Sequence, residues 1–215
     1  YRFVWQTIFG SVACTYTGGL FLMRVFNVIG ISDDMIAYAT SIFPPFFTGL
    51  TFFFSSMVQR ITRVKRGAVI FNAFHKIFLC AVVLVPLVLP KAVQPWAAIG
   101  LYLLAAMDNG VNTILINQLY IKSVPDHIRG RSVAVKNIFA LICGITIPTI
   151  GTLILDRYPD AYLPILLLYA ASAFASVLEC RTLHKIKEVE YNPENLPAKI
   201  KFRETFTIPL KNKEF

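Results

Sequence analysis

Long apolar segments separated by short polar loops are the feature that most constrains how this chain folds. Six segments have the length of a membrane span, and they cover residues 4–29, 35–58, 68–89, 96–120, 138–155 and 162–180. A helix that crosses the hydrocarbon core needs about 20 predominantly apolar residues. The segments do not alternate polar and apolar side chains, as the strands of a membrane barrel do. The sequence therefore predicts an all-α, polytopic membrane protein with six transmembrane helices.

The composition agrees with that prediction and excludes a cytosolic enzyme. Hydrophobic residues make up 56% of the 215 residues and charged residues 15%, whereas a soluble domain carries about 25% charged residues. The motifs of zinc peptidases and serine hydrolases are absent from the sequence, so we expect no enzymatic activity. We also expect no cofactor and no metal. Four cysteines lie in different segments, and we interpret them as buried thiols: Cys14, Cys80, Cys143 and Cys180.

The distribution of cations predicts the orientation of the spans. Most of the 21 Lys and Arg residues lie at the two ends of the chain and in the loops at residues 59–67 and 123–131. The opposite side carries only Lys91 and Arg157. By the positive-inside rule, we predict an integral protein of the plasma (inner) membrane with both ends of this chain cytoplasmic. Insertion topology thus explains the net charge of +9 without nucleic acid, and attraction to anionic lipid head groups is a second interpretation of the same loops.

The composition changes near Arg181, which predicts two regions. Residues 1–180 form the six-helix transmembrane bundle. Residues 181–215 are rich in Lys, Glu, Asn and Pro, and prolines 193 and 197 interrupt any continuing helix. We interpret this second region as a cytoplasmic linker, leading to a second half of the protein beyond residue 215.

Polar residues in the first span predict one side of a binding site. Gln6, Gly10, Thr17 and Arg24 follow spacings of four and seven, which place them on one face of a continuous helix. A charge at the bilayer centre costs at least about 2.5 kcal/mol, so a charged residue that nevertheless lies within a predicted span is informative. We predict that Thr17 and Arg24 bind substrate, with snorkelling of Arg24 to the outer interface as the alternative.

The fourth span contains the second group of polar residues. Asp108 and Asn112 are four residues apart, and Asn109 and Asn112 are three apart, so one face presents a carboxylate and two amides. We predict that all three bind substrate. The alternative is an interhelical hydrogen bond that only stabilises the bundle.

Three further polar residues have a structural interpretation. Lys76 and His75 lie halfway along the third span, and a small error in the helix boundary lets Lys76 snorkel. A transport role for these two residues is the less favoured interpretation. Glu179 lies near the end of the sixth span, and we interpret it as an interfacial carboxylate beside Arg181.

Two basic loops resemble signatures of the major facilitator superfamily. The segment at residues 55–66 is similar to the motif G-x-x-x-D-[RK]-x-G-[RK]-[RK], with substitutions at the glycines and the acid. The segment at residues 124–131 resembles the P-x-x-x-R-G-R motif between the fourth and fifth helices. In the second loop two arginines can bond helix C-terminal carbonyls or acids in one gating state; the alternative is a purely topogenic loop. The predicted gating residues are Arg60, Arg63, Arg129, Gly130 and Arg131.

The fifth span resembles the glycine-proline helix motif of the same family. Gly144, Pro148 and Gly151 carry the similarity. Glycine allows close helix packing and proline allows a bend, so we expect these residues to shape the contacts of this helix.

The resemblance implies the amino-terminal half of a twelve-helix transporter whose first and fourth helices line a central cavity. We therefore predict secondary-active or facilitative transport of a small solute by alternating access. The implied partners are a small-molecule solute, a coupling proton or sodium ion, the lipid bilayer and a second six-helix half from the same chain or a second copy. The alternative function is a non-transporting membrane scaffold or assembly protein.

Overall fold

The computed structural model describes residues 1–42, 44–47, 49, 63–158 and 162–188, and every regular element in those ranges is helical. The all-α prediction is confirmed for this part of the chain. In chain order the main helices are α1 (Arg2–Thr17), α2 (Gly19–Ile29), α3 (Asp33–Ser41), α4 (Val64–Val82), α5 (Val85–Val88), α6 (Gln94–Ser123), α7 (Asp126–Arg157) and α8 (Leu163–His184).

Four helical stretches within the described residues are long and apolar enough to cross a membrane. They are Arg2–Ile29, Gln94–Ser123, Asp126–Arg157 and Leu163–His184. These stretches coincide with the first, fourth, fifth and sixth predicted spans. The coarser prediction of an integral membrane protein agrees with them.

The other two predicted spans are not found as such in the described part of the chain. Helix α4 begins at Val64 and carries Lys65, Arg66 and Lys76 within its 19 residues. Its composition is therefore too cationic for it to count among the helices that are apolar enough to cross a membrane. It also ends at Val82, before the predicted boundary, and a turn separates it from the short α5. Of the predicted span at residues 35–58, α3 covers the start, and residues 43, 48 and 50–58 lie outside the described residues.

The first span is interrupted in its middle. Helix α1 ends at Thr17, Gly18 is extended, and Gly19 has a φ of +51°, in the left-handed region that favours glycine. The prediction of one polar face from Gln6 to Arg24 is therefore wrong, because the two glycines break the helical register before Arg24.

The predicted loop at residues 123–131 is mostly helical. Only Val124 and Pro125 separate α6 from α7. Proline disfavours helical geometry in the residue before it, and Val124 accordingly has φ −112° and ψ 118°. Because proline is well tolerated at a helix start, α7 begins directly after Pro125.

Two apolar clusters lie at opposite ends of the bundle. Helix α1 packs on α7 and α8, and α4 packs on α6 and α8. One cluster joins α2 to the C-terminal end of α4 and the N-terminal ends of α6 and α8, around Phe26, Val82 and Ile165. The other joins the N-terminal end of α4 to the C-terminal ends of α6 and α8, around Leu119 and Leu183. The polar side chains described below lie between these two clusters.

The boundary of the bundle lies beyond residue 180. Helix α8 continues to His184, and Ile186 is only 3% exposed within the second cluster. The start of the predicted linker therefore packs on the bundle. Residues 189–215, the remainder of that linker, lie outside the described residues.

Candidate functional site

A lysine and a glutamate form an ion pair inside the bundle. Lys76 Nζ lies 3.6 Å from Glu179 Oε2, and the two side chains are 5% and 3% exposed. The Lys76 ammonium also donates to Cys14 Sγ at 2.7 Å, and Gln6 Nε2 donates to Glu179 Oε1 at 2.8 Å. Helices α1, α4 and α8 thus meet at one buried charged cluster. Breaking such a pair on one side leaves an uncompensated charge in a medium of low polarity.

A glycine on α1 makes room for the glutamate. A Cβ atom at Gly10 would lie 2.7 Å from Glu179 Oε1. Gln6 and Gly10, which the sequence places on one face, therefore both face the same carboxylate. Two turns before Glu179 on α8, Ser172 Oγ donates to the carbonyl oxygen of Ala13 at 2.7 Å. The polar face of α1 packs against α8 over this length.

Side-chain amides extend the polar cluster towards α6. Asn112 Nδ2 donates to Asn72 Oδ1 at 3.1 Å, and Asn72 Nδ2 donates to Cys180 Sγ at 3.5 Å. One turn along α4, His75 Nδ1 lies 2.9 Å from the carbonyl oxygen of Ala105. These contacts connect α6, α4 and α8 at the depth of the ion pair.

A cavity of about 330 Å³ opens beside these residues. Apart from Gly10 and Ile116 its lining side chains are polar: Gln6, Thr7, Ser11, Cys14, Asn72, His75, Lys76, Asn109, Asn112, Thr113, Asn117, Lys136 and Glu179. The volume lies in the range of small-molecule sites. We call this space the polar cavity.

Two buried oxygens in the cavity wall have no hydrogen-bond partner among the described residues. They are Glu179 Oε2 and Asn112 Oδ1. The 3.6 Å contact of Glu179 with Lys76 is electrostatic and too long for a hydrogen bond. Because an unsatisfied buried acceptor costs about 1–3 kcal/mol, both oxygens favour a ligand that brings hydrogen-bond donors.

The predicted substrate-binding residues divide into two groups. Asn109 and Asn112 line the polar cavity. Thr17, Arg24 and Asp108 lie outside its lining. Thr17 is buried and donates to the carbonyl oxygen of Ala13 at 2.7 Å, whereas Arg24 is exposed on α2. Asp108 is partly buried, and its Oδ2 has no hydrogen-bond partner within the described ranges.

The sequence interpretation of Glu179 is wrong. The residue is 2% exposed and contacts α1 and α4, so it is not an interfacial partner of Arg181. Lys76 is likewise buried rather than snorkelling, with an exposure of 4%. The spacing of Ser172, Ser176 and Glu179 by four and three residues marks a polar face on α8 and is the pattern that identifies this site.

The side chain of Arg129 stabilises the junction between α6 and α7. Its Nη2 donates to the carbonyl oxygens of Ile121 and Val124 at 3.0 and 3.2 Å, and it forms an ion pair with Asp126. The bonding to helix C-terminal carbonyls that the chemistry of this loop predicts is thus present at Arg129.

The remaining predicted gating residues surround two helix starts. Gly130 and Arg131 are exposed in the first turns of α7, and Arg63 is exposed directly before α4. Arg60 lies outside the described residues. A gating role for this group stays a prediction.

The predicted packing residues of α7 differ in their surroundings. A Cβ atom at Gly151 would lie 2.5 Å from Phe21 Cζ and 2.7 Å from Tyr16 Cε1, so α7 approaches α1 and α2 closely there. At Gly144 a Cβ atom would meet nothing within 4 Å, and the close packing predicted there is absent within the described part of the chain. Pro148 lies inside α7, which stays helical on both sides of it.

Neither a metal cluster nor a known relative indicates a function directly. Within the described ranges, no three His, Cys, Asp or Glu residues come together as metal ligands. The four cysteines are free thiols, but only Cys143 is buried, so the interpretation of all four as buried thiols is wrong. No protein-family model, no curated protein and no solved structure matches this chain.

Proposed function

We propose that this protein transports a small solute across a membrane by alternating access, as a secondary-active or facilitative transporter. The observation that carries the proposal is the polar cavity beside the buried Lys76–Glu179 pair, at 3.6 Å. Charged side chains are costly within a bundle of apolar helices, and where they face a cavity they typically mark a solute or ion pathway.

The chemistry of the cavity favours a polar solute. Glu179 Oε2 and Asn112 Oδ1 are free to accept hydrogen bonds from a solute, and the amides of Gln6 and Asn109 offer further polar contacts. Lys76 supplies a positive charge. A solute with both donors and acceptors satisfies these groups better than an apolar molecule of the same volume, because it replaces lost hydration.

The interruption between α1 and α2 supports a change of access. Transporters commonly build their midplane sites beside discontinuous helices. Here Gly18 and Gly19 separate two half-helices, and the first of them contributes Gln6 and Gly10 to the site. In the proposed cycle, α2 moves relative to α1 about the two glycines and opens the cavity to alternate sides.

The finer topology is part of the same proposal. We infer a six-helix unit similar to the amino-terminal half of a major facilitator transporter, completed by a second six-helix half and driven by a proton or sodium gradient where it is coupled. The distribution of charge supports cytoplasmic ends in the plasma membrane: Lys65 and Arg131 lie at one end of the bundle, and Lys91 and Arg157 at the other. Arg60, Arg63, Arg129, Gly130 and Arg131 would gate the cytoplasmic side.

Solute flux into proteoliposomes tests the proposal. The full-length protein is reconstituted and screened against a panel of small polar solutes, beside the Glu179→Gln variant. Asp156→Asn is the matched control, because it neutralises an exposed carboxylate near the far end of α7. We expect flux with the unsubstituted protein and the control, and a loss of about tenfold or more with Glu179→Gln.

Two outcomes contradict the proposal. Absence of flux for every solute, with the protein folded and inserted, favours a non-transporting scaffold. Equal flux for Glu179→Gln and Asp156→Asn removes the polar cavity from the transport path.

A further inference from the structure

A second pocket lies at the end of the bundle where α4 begins and α8 ends. Its volume is about 700 Å³. Cationic side chains dominate its wall, with Lys65 and Arg66 from the first turn of α4 and Lys187 from the segment after α8. We call this space the basic pocket. Topology alone requires cations near this membrane face but does not require them around one concave space.

The described lining contains one acid, Glu188, which leaves the cations in excess. Glu188 Oε1 accepts a hydrogen bond from the backbone N–H of Val64 at 2.7 Å, and its Oε2 accepts one from that of Lys65 at 3.0 Å. The carboxylate therefore caps the start of α4 with both oxygens. It also holds the chain after α8 against α4, and Lys187 in that chain lines the same pocket as Lys65 and Arg66.

An apolar edge adjoins the cationic wall. Val69 and Ile70 line the same pocket one turn further along α4, and Ile70 is 41% exposed. The pocket thus presents cations first and apolar side chains next, in the direction of the membrane interior. A phospholipid has the matching order, with an anionic phosphate followed by acyl chains. A free phosphate ion has no part that would contact the apolar edge.

We propose that the basic pocket binds an anionic phospholipid, with Lys65, Arg66 and Lys187 around its phosphate and Ile70 against the start of an acyl chain. Basic pockets between transmembrane helices on the cytoplasmic side are suited to such head groups, and Arg–phosphate hydrogen bonds are strong because they are charge-assisted. The site lies at the opposite end of α4 from the first apolar cluster and shares no lining residue with the polar cavity. It is independent of the transport proposal.

Lipid titration of the purified full-length protein tests the site. The protein in a neutral detergent is titrated with phosphatidylglycerol or phosphatidylcholine at fixed ionic strength, and bound lipid is counted by native mass spectrometry. The test variant is Lys65→Gln/Lys187→Gln. The matched control is Arg2→Gln/Lys185→Gln, which removes the same charge from the same end of the bundle and spares the pocket.

The expected result is selective binding of phosphatidylglycerol that weakens about tenfold or more in the test variant and stays within about threefold in the control. The charge-conserving Lys65→Arg/Lys187→Arg variant keeps the binding, which also separates loss of the site from loss of folding. Equal weakening in test variant and control means diffuse surface attraction and overturns the proposal. Equal binding of phosphatidylcholine, or displacement by inorganic phosphate at the concentration of the lipid, overturns it as well.

Discussion

The carboxylate of Glu179 lies so close to the backbone of Gly10 that a Cβ atom there would come within 2.7 Å of Oε1. The absence of a side chain at Gly10 is what lets α8 present this carboxylate to Gln6 and Lys76 on two other helices. One glycine of α1 thus controls the position of a charge that is far from it in sequence.

Substitution of Gly10 by alanine tests that relationship. Gly10→Ala is expected to displace the Glu179 carboxylate and to reduce solute flux. The free energy of unfolding should change by about 1 kcal/mol or less, because the end of a Glu side chain can move and alanine favours a helix over glycine by about 0.5–1 kcal/mol. Gly100→Ala in α6 is the control, since a Cβ atom there meets nothing within 4 Å. Undiminished flux for Gly10→Ala would show that the carboxylate position is unimportant.

The buried pair should show strong thermodynamic coupling. The single variant Lys76→Met leaves the charge of Glu179 unpaired, and the single variant Glu179→Leu leaves the charge of Lys76 unpaired. Each single variant is therefore expected to destabilise the protein by about 3–5 kcal/mol. The double variant, Lys76→Met/Glu179→Leu, removes both charges and should recover most of that loss while remaining inactive in transport. Denaturation of the four proteins in detergent measures the coupling. Simple additivity of the two single effects would contradict a direct interaction.

The two glycines of α7 should respond differently to the same change. Gly151→Ala forces a Cβ atom against the rings of Tyr16 and Phe21 and is expected to lower the free energy of unfolding by about 1–3 kcal/mol. Gly144→Ala has open space and should be neutral or slightly stabilising. Thermal unfolding of both variants under identical conditions makes the comparison. Equal melting temperatures would show that α7 does not approach α1 and α2 at Gly151.

Arg129 offers a test of gating at the junction of α6 and α7. Arg129→Gln loses the two hydrogen bonds to the carbonyl oxygens of Ile121 and Val124. This loss should cost about 1–2 kcal/mol and shift the balance between inward-open and outward-open states. Labelling of cysteines introduced at the two ends of the bundle measures that balance. Arg157→Gln is the control, because it removes an exposed cation at the other end of the same helix. An identical labelling pattern for both variants would assign Arg129 to topology alone.

The local features of the chain were predictable from sequence because hydrophobic length and proline chemistry act within a few residues. The fourth and sixth spans were expected at residues 96–120 and 162–180, and the structure has helices at Gln94–Ser123 and Leu163–His184. Pro125 likewise marks the end of one helix and the start of the next. The interruption at Gly18 and Gly19 was missed, since glycines also occur in continuous transmembrane helices.

The sequence by itself determined an all-helical chain with long apolar helices and identified Asn109 and Asn112, which line the polar cavity. Only the tertiary structure brought Lys76 and Glu179 together. Considered on its own helix, each residue looked like a charge at the membrane interface. Whether a side chain snorkels depends on the depth of the residue in the membrane, and the sequence leaves that depth uncertain by one helical turn. Their pairing depends on which faces of α1, α4 and α8 pack against one another, and the energy of that packing comes from contacts between segments distant in the chain.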